Sequence, residues 1–74
     1  MSRVLVVDDD PTVREVVAGY FTRAGLIVSE AADGAGALAS ARHTVPDLVV
    51  LDLMLPGIDG LEVLRRLRAE HGGI

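Results

Sequence analysis

Four aspartates stand where apolar runs stop. Asp8, Asp9 and Asp10 follow Val4-Leu5-Val6-Val7, and Asp52 follows Leu48-Val49-Val50-Leu51. Carboxylates gathered in one pocket repel one another, and a hard divalent cation relieves that cost. Mg²⁺ suits such a group, because it takes a few carboxylates, a carbonyl and several waters in octahedral geometry. The same ion neutralises charge on the oxygens of a transferring phosphoryl group. An ionised aspartate can then act as an oxygen nucleophile and form an acyl phosphate. Asp8, Asp9 and Asp52 are therefore candidate metal ligands, and Asp52 is the carboxylate suited to accept a phosphoryl group. Asp10 has a simpler role: an Asp immediately before Pro11 is a helix-start signature.

For these acids to meet, the elements around them must bring two strand ends together. Both apolar runs are continuous rather than alternating and rich in β-branched residues, which suits strands of a parallel sheet covered on both faces. After Pro11, Val13, Val16, Val17, Tyr20, Phe21 and Ala24 recur at helical spacing and predict one apolar face, ended by Gly25. Leu26 to Glu30 reads as a short second strand. Asp33-Gly34 is a turn that also caps a helix over residues 35–42, and Pro46 closes the connection to the third strand. Asp59 and Glu62 have the spacing of a capping box. Leu61, Leu64 and Leu67 predict the buried side of the last helix, with Arg65, Arg66 and Arg68 on its solvated side. Gly72-Gly73 stops it.

Strands alternating with helices give a parallel sheet with right-handed crossovers. The expected fold is α/β, a doubly wound, flavodoxin-like arrangement of three parallel strands in the order 2-1-3 with three helices. The first and third runs are the most apolar and belong in the centre, and ligands in such sheets bind beyond the strand ends at the switch point between them. That order brings Asp8, Asp9 and Asp52 to one place.

Composition narrows the class. A chain of 74 residues is one domain at most, with no second domain, and at this size only about 60% of the unfolded surface is buried. Half the residues are hydrophobic and only 3% aromatic, so the core must be aliphatic. No cysteine is present, which excludes disulfides and thiolate zinc sites. A net charge of −4 argues against nucleic-acid binding by this segment. No signal peptide or membrane-length apolar run is visible, so the expectation is a soluble cytoplasmic domain. His43 and His71 each lie near a helix end, where solvated positions are expected.

VLVVDDDPTVR at residues 4–14, together with DLVVLDLMLPGIDGLEVL at residues 47–64, resembles the receiver domain of bacterial two-component response regulators. The likeness runs along the whole chain in order, and the spacing of 44 residues between Asp8 and Asp52 makes the pair of motifs specific. The resemblance implies that residues 1–74 form the N-terminal part of a receiver domain. It implies that Asp52 is the phosphoacceptor, charged by a sensor histidine kinase, with Mg²⁺ as cofactor. Asp9 matches the acid that binds the ion directly, and Asp8 the neighbour that acts through metal-bound water. Met54 matches the position whose backbone carbonyl is a metal ligand. Pro56 and Gly60 match family positions in the loop and at the next helix start, where Pro56-Gly57 sets the turn and Gly60 permits close packing. Such a domain is a phosphoacceptor and not an enzyme, beyond slow metal-dependent self-phosphorylation and dephosphorylation. The loop after Asp52 resembles receivers attached to winged-helix DNA-binding domains, which suggests a transcriptional regulator as the parent.

A receiver of this family has five strands, with a Thr or Ser ending the fourth and a Lys ending the fifth. This sequence covers three strands and contains no lysine, and the pattern halts where a next strand could begin. The expected consequence is an apolar outer edge on the third strand that invites self-association into a homo-oligomer. The alternative function is thus a receiver fragment acting only as a structural or interaction module. Asp8-x-Asp10-x-Thr12 also resembles the first motif of haloacid-dehalogenase-type phosphatases, with Asp8 as nucleophile and Asp10 as general acid. That reading leaves Asp52 and the Leu-Pro-Gly loop unexplained.

Overall fold

The computed structural model describes residues 2–55 and 57–72. The order along the chain is β1 (Arg3–Val7), α1 (Pro11–Arg23), β2 (Ile27–Ala31), α2 (Gly34–His43), β3 (Leu48–Leu51) and α3 (Gly60–Glu70). The strands form one parallel sheet in the order β2-β1-β3, as the sequence predicts. Val4 sits between Val28 and Leu48, and Val7 between Ala31 and Leu51. β1 is central and buried from Val4 to Val7, which is why its run does not alternate.

Alternation along β1 divides the core between the two faces. Leu5 and Val7 pack with Ala37, Leu38 and Ala41 of α2 and with Val63 and Leu67 of α3. Val4 and Val6, equally buried, point to the opposite face. Crossovers of one hand place α1 on that second face, because β1 leads to β2 on one side and β2 leads back past β1 to β3 on the other. The small residues of α2 allow close contact with α3. A β-carbon added at Gly34 would lie 2.6 Å from Val63 Cγ2, so this glycine is a packing requirement.

The helix starts follow the sequence signals. Asp10 accepts from the amides of Thr12 and Val13 at 2.9 and 3.3 Å, and Asp33 from Gly36 at 2.7 Å. Asp59 accepts from the Glu62 amide at 3.0 Å. The Glu62 carboxylate bonds Arg65 and Arg66, at 2.9 and 3.2 Å, so the capping box is present by half. Gly25 adopts φ 91° just past the end of α1, the left-handed conformation that stops a helix without cost to glycine. Gly57 adopts φ 76°. Pro56, Gly73 and Ile74 lie outside the described residues, so the Pro56-Gly57 turn and the second helix-stop glycine are described only in part.

Three expectations need correction. The buried stripe of α3 is Gly60, Val63 and Leu67, whereas Leu61 is 65% exposed and Leu64 half-buried. The inward positions recur at i, i+3, i+7, and glycine, which carries no hydropathy signal, occupies the first. On α1 the stripe Val13, Val16 and Tyr20 is exposed, and the sheet side is Arg14, Val17, Ala18 and Phe21. His71 is half-buried rather than fully solvated. The chain leaves the helix there at φ −139°, and Nε2 is buried without a hydrogen-bond partner among the described residues. His43, by contrast, is exposed, with Nδ1 3.0 Å from the Thr44 hydroxyl. β3 forms one edge of the sheet, with Leu48 exposed and Val49 to Leu51 half-buried.

Candidate metal and phosphoacceptor site

The sheet order places the ends of β1 and β3 side by side. The Asp8 amide donates to the Ala31 carbonyl at 3.2 Å and the Asp52 amide to the Val7 carbonyl at 3.0 Å, so the ladders continue one residue beyond each strand and aim both acids off the same edge. Carboxylate oxygens of Asp8, Asp9 and Asp52 all lie within 4.8 Å of one another. Asp8 and Asp52 are half-buried and Asp9 is exposed. This separation fits the donor set a small hard cation requires.

Hydrogen bonds assign one oxygen of two of these carboxylates, and the other oxygen of each has no hydrogen-bond partner among the described residues. Asp8 Oδ1 accepts from the Asp10 amide at 2.9 Å, and Asp52 Oδ1 accepts from the Met54 amide at 2.9 Å. Met54 thus stands on the rim of the cluster, joined to Asp52 through its backbone, while the residue as a whole is 87% exposed. The cap role of Asp10 turns its carboxylate to the start of α1.

Gly60 sets the far wall. Its amide donates to the Leu53 carbonyl at 3.1 Å. A β-carbon there would overlap Leu53 Cα and lie 2.8 Å from the Asp52 carbonyl oxygen. The first residue of α3 therefore rests against the backbone of the Asp52 loop, and only glycine fits.

Sequence reasoning passed over Arg14. Its Nη1 donates to the Asp8 carbonyl at 2.9 Å, and its Nε lies 3.3 Å from Glu30 Oε1. The available signal was an arginine one turn into α1, directly behind the aspartate run.

Fold and cluster together define a parallel α/β domain with three carboxylates at the joined ends of two strands, and comparison with known proteins makes the class specific. Residues 4–74 match the response regulator receiver domain model, and the chain belongs to that family. It is similar to the probable transcriptional regulatory protein TcrX of Mycobacterium tuberculosis, 48% identical over 71 residues that cover 96% of this chain and 30% of that protein. The DNA-binding dual master transcriptional regulator RpaA of Synechocystis is 44% identical over 96% of this chain and 30% of its own length. Among solved structures, chemotaxis protein CheY4 of Vibrio cholerae superposes with a TM-score of 0.93 at 34% identity, covering 99% of this chain and 61% of CheY4. Response regulator TrrA of Thermotoga maritima, solved in complex with Mg²⁺-BeF, gives 0.92 at 39% identity, covering 97% of this chain and 63% of TrrA. The chain thus spans about a third of the curated relatives it matches.

Proposed function

We propose that Asp52 receives a phosphoryl group from the phosphohistidine of a sensor histidine kinase, in the cytoplasm, as one step of a two-component relay. The observation that supports this most is the meeting of Asp8, Asp9 and Asp52 within 4.8 Å at the joined ends of β1 and β3. Mg²⁺ would be held by Asp9 and Asp52 directly, by the Met54 carbonyl, and by Asp8 through water. When bound, the ion supplies charge neutralisation for the phosphoryl oxygens.

The residues of the chain do the rest. The Met54 amide holds Asp52 Oδ1, which leaves Oδ2 to attack phosphorus. A P–O bond forms, the P–N bond of the donor breaks, and its electron pair returns to the imidazole. No general base is required, since an ionised carboxylate carries no proton to lose. The product is an acyl phosphate, so the chain is a phosphoacceptor with at most slow self-phosphorylation and dephosphorylation. The likeness to TcrX and RpaA supports a DNA-binding transcriptional regulator as the parent, with DNA contacted outside this segment.

The test uses acetyl phosphate or a phosphorylated kinase domain with Mg²⁺. Mass spectrometry should find one added phosphoryl group on Asp52, labile to neutral hydroxylamine. Asp52→Asn should lose it entirely. Incorporation that persists in Asp52→Asn but vanishes in Asp8→Asn would move the acceptor to Asp8 and overturn the assignment.

A further inference from the structure

We propose that Arg14 is a positioning residue for the acidic cluster: it fixes the peptide unit joining Asp8 to Asp9, and so sets how both carboxylates face Asp52. This rests on the metal-binding reading above.

Asp8 is the first residue past β1, where ladder bonding ends. Its amide is still tied to the sheet through the Ala31 carbonyl at 3.2 Å. Its carbonyl would otherwise be free to rotate, and Arg14 Nη1 holds it at 2.9 Å in a partly buried bond. The atoms from Asp8 Cα to Asp9 Cα are coplanar, so holding that carbonyl orients both α-carbons at once. The Asp8 carboxylate is fixed separately, by the Asp10 amide on Oδ1.

The guanidinium is itself fixed. Nε lies 3.3 Å from Glu30 Oε1 on β2, and the Arg14 side chain is only 21% exposed. One planar fork therefore ties α1, β2 and the aspartate loop together, a task a lysine ammonium cannot repeat, since it lacks two donors in a rigid plane. Glu30 also offsets the positive charge, so the arginine serves as a clamp rather than as a rival to a bound cation.

The sign of one effect separates this role from a charge effect. Removing Arg14 adds a net negative charge beside the cluster, and charge alone would tighten Mg²⁺ binding. Loss of positioning would weaken it. The experiment is an Mg²⁺ titration followed by the amide shifts of Asp9 and Asp52 in the wild type, Arg14→Gln and Arg14→Lys, with thermal unfolding in the absence of Mg²⁺. Arg14→Gln should weaken binding about tenfold, the low end of what losing a partner just outside a metal's ligand set costs. Unchanged or tighter binding overturns the proposal, as does a lower thermal midpoint with unaltered affinity, which would mark a merely structural residue. If Arg14→Gln does not fold, Arg14→Lys decides, because it keeps the charge and loses the fork. Weakening of roughly threefold or more supports the clamp, and wild-type affinity refutes it. A folded wild type with no saturable response refutes the metal reading itself, before any substitution is compared.

Discussion

Each aspartate of the run has a different task, although the residues are chemically identical. Asp10 caps α1, Asp8 spends one oxygen on the turn beneath it, and Asp9 stands exposed. Position on the backbone makes the difference. Gly60 shows the same dependence from the other side. The contact of its α-carbon with the Asp52 loop leaves no room for a methyl group, so Gly60→Ala must push α3 away from Leu53. Overpacking of this kind should destabilise the fold by roughly 1–3 kcal/mol, read by urea denaturation, and should broaden the Asp52 and Met54 amide resonances. A variant of wild-type stability would mean that the approach is looser than described. The acids were legible in the sequence because each ends a continuous apolar run. Arg14 was not, because it lies on the inward stripe of α1 with Val17, Ala18 and Phe21. A charge at such a position reads as solvated until the carbonyl it bonds is in view.

At the scale of elements, hydropathy located the helices and strands of the described residues, and it placed Leu67, Val17 and Phe21 correctly, but it misassigned the rest of the buried face on two helices. On α3 three leucines outweighed Gly60 and Val63 in the pattern, although Val63 is fully buried and Leu61 is not. The distinction is measurable. Leu67→Ala should cost about 2–5 kcal/mol, as large-to-small changes in a packed core do, whereas Leu61→Ser should stay within about 0.5 kcal/mol of the wild type. Equal costs would return Leu61 to the core. The C-terminal ends of α2 and α3 are joined by Arg42, whose Nε and Nη2 donate to the Glu70 carboxylate at 2.5 and 3.1 Å. That hydrogen bonding, aided by the charge, holds the Glu70 carboxyl below the usual glutamate range and raises Arg42. A carboxyl lowered on folding adds stability that is complete above its unfolded pKa and lost as pH falls through the folded one. Glu70→Gln should therefore lower the thermal midpoint slightly near neutral pH and low salt. The two proteins should converge in acid and at about 1 M salt, where exposed pairs are screened. A difference that survives salt would point to packing instead.

For the whole molecule, the order β2-β1-β3 is what turns separate acids into a site. The central strand β1 and the edge strand β3 end side by side, with α1 on one face of the sheet and α2 and α3 packed together on the other. Binary pattern and strand-end acids carried that order into view. The edge on β3 and the exposed stripe of α1 are surfaces the same topology creates. The central claim, that Asp52 and its neighbours bind Mg²⁺ and a phosphoryl group together, is tested most directly by NMR with Mg²⁺ and beryllofluoride, a phosphoryl mimic. In the folded wild type, Mg²⁺ should shift the amides of Asp9, Asp52 and Met54, and beryllofluoride should shift them further only with Mg²⁺ present. Asp52→Asn should abolish the second change. A folded protein whose Asp9, Asp52 and Met54 amides do not move with either addition would contradict the account.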